Sequence, residues 1–171
     1  LPTLFSENLA IPMEQAGPLA TIAISFSSLL GVIFGGILSD KWVQKNIKGR
    51  VYTSAIGLSL TIPALLLIGF GDSLFNVVAA VLCFGIGYGM FDANNMPIIC
   101  QFVSSKYRGT AYGVLNMTGV GCGALVTSLL GKSSDSGTLG YGFALMAGVV
   151  VIALVVQVSF LRPKVNDFVD A

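Results

Sequence analysis

Five long apolar runs, separated only by short polar gaps, constrain this chain more than any other feature. They cover residues 17–38, 51–70, 74–103, 110–130 and 141–161. A bilayer core of about 30 Å needs roughly 20 apolar residues in a helix, so each run is long enough to span or nearly so. Composition agrees. Of the 171 residues, 54% are hydrophobic and 10% are charged, against about 25% charged in ordinary soluble domains. A soluble domain could bury a core with this composition, but it could not cover its outside. The expected class is an all-α integral membrane protein with five transmembrane helices. No soluble domain and no long linker interrupts residues 1–171.

The gaps carry the orientation. Positive charge is retained on the cytoplasmic side of membranes. Lys41, Lys45, Lys48 and Arg50 fill the first gap, Lys106 and Arg108 the third, and Arg162 and Lys164 open the tail. These places alternate, so all fall on one side. Lys132 stands alone on the other, with Glu7, Glu14, Asp72 and Asp135. The expected topology puts residues 1–16 outside and the C-terminus in the cytoplasm, in the cytoplasmic membrane if the source is bacterial. The chain opens on Leu1 rather than Met, and the odd number of spans fits a piece of a longer protein whose N-terminal half lies before it.

Polar residues inside spans are costly and mark function. The third run holds "FGIGYGMFDANNMPIICQ". At about 100° per residue, Gly85, Gly89, Asp92 and Met96 form one stripe, and Asn95 lies about 60° from Asp92. The glycines allow close helix approach above Asp92. Asn94 points nearly opposite, toward a different neighbour, but as a deep amide it joins the candidates. Burial disfavours the charged form of a carboxyl, so Asp92 fits a proton-coupling site or an acceptor for a polar substrate. The competing expectation is a structural pair between Asp92 and Lys106 or Arg108. Pro97 is expected to kink or break the helix. In the fourth run Gly109, Gly113, Asn116, Val120 and Gly123 share a stripe. Counted from the same end, Asn116 reaches the depth of Asp92, where it serves either one shared cavity or an interhelical hydrogen bond. The fifth run is almost wholly aliphatic, with Gln157 its one deep polar residue, and reads as lipid-facing. The second is also mostly apolar.

Other chemistry is excluded. With no His, there is no Ser–His–Asp triad, no HExxH and no Cys–His pair, so no enzyme and no catalytic residue is expected. Cys83, Cys100 and Cys122 have no metal spacing and read as packing residues. No cofactor is implied. Gly131-Lys132-Ser133 lacks the first glycine of a phosphate loop, because Val126 stands there. Gly119, Gly121 and Ala124 match G-x-G-x-x-A inside a span, where helix packing is the better account. Nucleic acid is not an expected partner, since the basic gaps are short and face anionic lipid.

The first gap also carries a motif. Gly36, Asp40, Lys41 and the basic residues down to Arg50 resemble the G-x-x-x-D-[RK]-x-G-[RK]-[RK] loop of the major facilitator superfamily. Val43 stands where that loop has its glycine, and the basic residues are spread, which suits the more degenerate second copy. The resemblance implies the C-terminal half of a 12-helix transporter, from the end of helix seven through helix twelve. In that family helices seven, eight, ten and eleven line the path, while nine and twelve face lipid. "LPTLF", "AGPLAT" and "DANNMPIICQFVSSKYRGTAYGVLNM" are similar to bacterial sugar-acid and anion:cation symporters. The implied function is secondary transport of a small organic solute, a sugar acid or other organic anion, by alternating access and coupled to protons. Asp92, Asn95, Asn116 and Asn94 are its cavity candidates, and Gly36, Asp40, Lys41 and Arg50 its cytoplasmic latch. Gly36 is expected to let a neighbouring helix come close, and Asp40 to find a basic partner. A carrier of neutral sugars and a non-transporting membrane scaffold are the alternatives.

Overall fold

The computed structural model describes residues 12–71 and 73–163. Glu7, Asp72 and Lys164 lie outside the described residues, as do the first eleven residues and the end of the tail. Five long helices follow one another: α1 (Met13–Val43), α2 (Gly49–Phe70), α3 (Leu74–Cys100), α4 (Arg108–Asp135) and α5 (Leu139–Phe160). A single 3-10 turn, Ser105–Tyr107, precedes α4. All five are long and apolar enough to cross a membrane. No strand occurs among the described residues. In lipid every backbone N–H and C=O must be satisfied within the segment, which leaves a helix as the form such runs adopt.

The gaps end the helices by local means. Ser73 caps α3 by accepting from the Asn76 amide at 3.2 Å. After α1 the chain turns tightly, with the Lys45 and Asn46 amides donating to the Trp42 carbonyl. The Asn46 side chain accepts from the Lys48 amide at 2.9 Å and so shapes the entry to α2. Gly137, at φ 69°, makes the turn between α4 and α5 in the left-handed region that favours glycine. Pro97 neither breaks nor ends α3, which runs unbroken to Cys100. Its missing N–H leaves one carbonyl of the preceding turn without a helical donor.

Packing is organised around α3, which lies against both α1 and α2. Lipid tails are as apolar as leucine, so close fit rather than hydrophobic burial holds such helices together. Glycine supplies it. A Cβ on Gly57 would sit 2.6 Å from the Gly87 carbonyl, and one on Gly87 would sit 2.6 Å from the Gly57 carbonyl. On the other face of α3, Gly85 and Gly89 lie against Ser27 and Ser28 of α1. The Ser27 hydroxyl turns back to the Ala23 carbonyl at 2.7 Å and leaves room for that contact. α2 also meets α5, where Gly69 faces Gly140 and the Phe70 and Tyr141 rings pack edge to face at 6.3 Å.

α2 packs on α1, α3 and α5 and buries Val51, Thr53, Ser54, Ala55 and Ala64 among others, while Ile56, Pro63, Leu66 and Phe70 stay exposed along one stripe. Apolarity alone does not separate a face toward lipid from a face toward another helix. The glycine stripe of α4 meets nothing: none of Gly109, Gly113, Gly119, Gly121 and Gly123 has a neighbour within 4 Å of a would-be Cβ among the described residues. No residue of α4 is buried. α5 has one buried residue, Ala147, and is otherwise as open as its aliphatic sequence suggests.

Candidate functional site

Asp92 sits eight residues before the end of α3 and Asn116 eight residues after the start of α4. At 1.5 Å per residue both lie about 12 Å in from the same end of the bundle. The structure brings them together. Asp92, Asn95 and Asn116 line one cavity of about 520 Å³ between α3 and α4, with Tyr88, Phe91 and Thr118. The Asn95 amide donates to Asp92 Oδ1 at 3.3 Å, as expected for side chains three apart on a helix.

Asp92 is exposed rather than buried, and its carboxylate faces the open cavity. The structural pair with Lys106 or Arg108 does not form. Arg108 instead donates from Nε to the Val103 carbonyl and from Nη2 to the Cys100 carbonyl, each at 3.4 Å. Lys106 lies over the Tyr107 ring, 5.5 Å from its centroid. No basic residue lines the cavity of Asp92. Asn94 stands apart from it: it is 1% exposed and donates to the Met90 carbonyl of its own helix at 2.8 Å. It is buried away from the cavity and is not among the residues that line it.

The residues expected to form a latch lie at the basic end. Arg50 Nη1 reaches Asp40 Oδ1 at 3.4 Å, which links the end of α1 to the first turn of α2. The Arg50 side chain is 11% exposed and that of Asp40 61%. Lys41 is exposed beside Asp40. Among the described residues nothing lies within 4 Å of a would-be Cβ on Gly36, so no helix of this part of the chain comes close there. The close approaches of α1 fall at Gly31, against Ile86, and at Gly35, against Met90.

Sequence reasoning missed Gln101. Its side chain is 1% exposed, and Nε2 donates to the Ile47 carbonyl at 3.1 Å. It ties the end of α3 to the gap between α1 and α2, which the Asp40–Arg50 pair also bridges. A lone amide near the end of a run gives no periodicity to detect. Gln157 does a similar task, donating from α5 to the Val51 carbonyl of α2 at 3.3 Å.

Comparison with known proteins follows the same direction. The sequence profile described as Major Facilitator Superfamily matches residues 1–168. The cis,cis-muconate transport protein of Acinetobacter baylyi is 30% identical over 139 residues, which is 81% of this chain and 32% of that protein. A multi-drug resistance efflux pump of Streptococcus pneumoniae is 27% identical over 163 residues, 93% of this chain and 39% of the pump. The human chromaffin granule amine transporter is 27% identical over 120 residues, 68% of this chain and 22% of that transporter. The chain thus spans a fifth to two fifths of the length of the relatives it matches. No solved structure matches it significantly.

Proposed function

The chain belongs to the major facilitator superfamily, and on that premise we propose that it forms part of a proton-coupled secondary transporter of a small organic anion. The protein is an integral, multi-pass membrane protein. Its basic end would face the cytoplasm, in the cytoplasmic membrane if the source is bacterial. The observation that carries the reading is the cavity of Asp92, Asn95 and Asn116, a carboxyl and two amides at one level between neighbouring helices.

The chemistry of coupling follows from that set. An ionised Asp92 repels an anionic substrate. A protonated Asp92 is neutral and donates a hydrogen bond to it. Proton and anion binding then favour each other, and the favour is reciprocal. The amides hold polar groups of the substrate in either state. The positive partner that an anion needs would come from the rest of the protein. Rocking of two helical halves about the cavity would alternate its access, with Asp40 and Arg50 closing the basic end in one state. The muconate relative supports the anionic class, since muconate is a dicarboxylate.

A second reading has its own support. A bare carboxylate with no base in the cavity lining suits an organic cation, and one relative is an amine transporter. The test is uptake into vesicles carrying the complete protein, with and without an imposed pH gradient. Radiolabelled hexuronate, cis,cis-muconate, a neutral hexose and an organic amine are compared. Wild type is expected to accumulate one of the acids, up to about tenfold per pH unit for one proton per substrate. Asp92→Asn is expected to equilibrate that acid without accumulating it. A variant that accumulates like wild type removes Asp92 from coupling. Uptake of the amine alone favours the second reading, and uptake of the hexose alone returns the substrate to a neutral sugar.

A further inference from the structure

Two cavities meet toward the basic end of the bundle, and the first borders the cavity of Asp92 at Phe91, Asn95 and Leu115. One, of about 550 Å³, is walled by Leu58 of α2, Phe102 and Val103 beyond α3, Ala111 of α4, and Ala153 and Leu161 at α5. None of its lining residues is charged, and all but Ser54, Asn95 and Gln157 are apolar. The other, of about 570 Å³, is lined by Gln101, Ser104, Ser105 and Arg108, and again by Phe102 and Val103. The two adjoin at that shared pair. Together they form an apolar slot with a polar, basic mouth.

The mouth is suited to negative charge. Arg108 uses only Nε and Nη2 on the carbonyls of Val103 and Cys100, and a guanidinium has five N–H donors. Ser104 and Ser105 are exposed beside it. Exposed Lys106 lies between Ser105 and Arg108, and exposed Arg162 follows Leu161 at the slot. No acidic residue lines either cavity.

We propose that the paired cavities hold one anionic phospholipid of the adjoining leaflet. Its acyl chain fills the slot, and its phosphate and glycerol headgroup sit at Arg108, Ser104 and Ser105. An acyl chain gains little by leaving the bilayer for an apolar slot, so preference among lipids lies in the headgroup. Basic pockets between spans favour anionic headgroups. A free phosphate would leave the slot empty, and a zwitterionic lipid would gain little net attraction from the three cations.

The test is native mass spectrometry of the complete protein released from nanodiscs of phosphatidylcholine with or without phosphatidylglycerol. Phosphatidylglycerol is expected to be retained over phosphatidylcholine. Arg108→Gln should weaken that retention about fivefold, the effect of one cation near the surface, and Arg108→Lys should restore most of it. Ala153→Trp, which fills the slot, should lower retention without touching the headgroup. Millimolar glycerol 3-phosphate should not displace the lipid. Should Arg108→Gln misfold for want of its contacts to the α3 end, Arg162→Gln carries the same about fivefold expectation. Equal retention of the two lipids overturns the proposal. So does undiminished retention in the Ala153→Trp protein, or displacement by glycerol 3-phosphate.

Discussion

Gly89 and Gly36 look alike in sequence, each a glycine in an apolar run, yet their surroundings differ completely. A Cβ on Gly89 would strike the Ser28 carbonyl and lie 2.9 Å from the Val32 amide nitrogen, both backbone atoms of α1. Backbone cannot give way as a flexible side chain can, so α1 and α3 would have to part. Gly89→Ala is expected to cost about 1–3 kcal/mol, the usual range for overpacking. Gly36→Ala meets no neighbour among the described residues and replaces a poor helix former with a good one. It is expected to be neutral or to stabilise by up to about 1 kcal/mol. Thermal unfolding of the two purified variants checks both. A loss at Gly36 matching that at Gly89 would restore the close approach read from the loop motif.

At the scale of the element, the helices and their order were legible because a membrane span needs a long apolar run and little else. The shared level of Asp92 and Asn116 was legible too, because it follows from counting along helices entering from one end. Which faces touch was not. α2 and α5 are both aliphatic, yet α2 buries one broad face and α5 only Ala147. Helical phase did separate Asn94 from Asn95: the first turns back on its own helix and the second meets the cavity, as a step of about 100° per residue implies. Beside the glycine contacts, some ties between elements rest on single polar residues that carry no period. Gln101, buried at the end of α3, holds the Ile47 carbonyl, whereas Asp40 in the Arg50 pair is mostly exposed. Truncating Gln101 to Ala removes a buried donor and strands its acceptor, a loss of about 1–3 kcal/mol. Asp40→Asn weakens a pair whose acid is largely solvated, and such pairs contribute about 1 kcal/mol or less. Denaturation of both variants is expected to show Gln101→Ala as the less stable. The reverse order would make the ion pair, rather than the amide, the tie at this end.

For the whole molecule, the distribution of charge over the two ends says more than its sum. Successive helices run in opposite directions, so the gap after α1, the gap after α3 and the end of α5 share one end. Lys41, Lys45, Lys48, Arg50, Lys106, Arg108 and Arg162 gather there, while Lys132 is the one described base at the other, with Glu14 and Asp135. An asymmetry this large in short gaps fixes the orientation during insertion. The same end holds the Asp40–Arg50 pair, the Gln101 tie and the basic mouth at Arg108, so sidedness decides which compartment each of them meets. Single cysteines placed at Lys45 and at Ser134, after replacement of Cys83, Cys100 and Cys122, report it directly. In intact cells a membrane-impermeant maleimide is expected to label the Ser134→Cys protein and to reach the Lys45→Cys protein only after permeabilisation. The opposite pattern would place the latch outside, and a proton arriving at Asp92 from the basic end would then come from the external medium. Replacing Lys41, Lys45 and Lys48 together with Gln should blur the labelling difference, since those three are nearly half of the charge that holds the orientation. Arg50 is left in place so that its contact with Asp40 stays intact while sidedness is read.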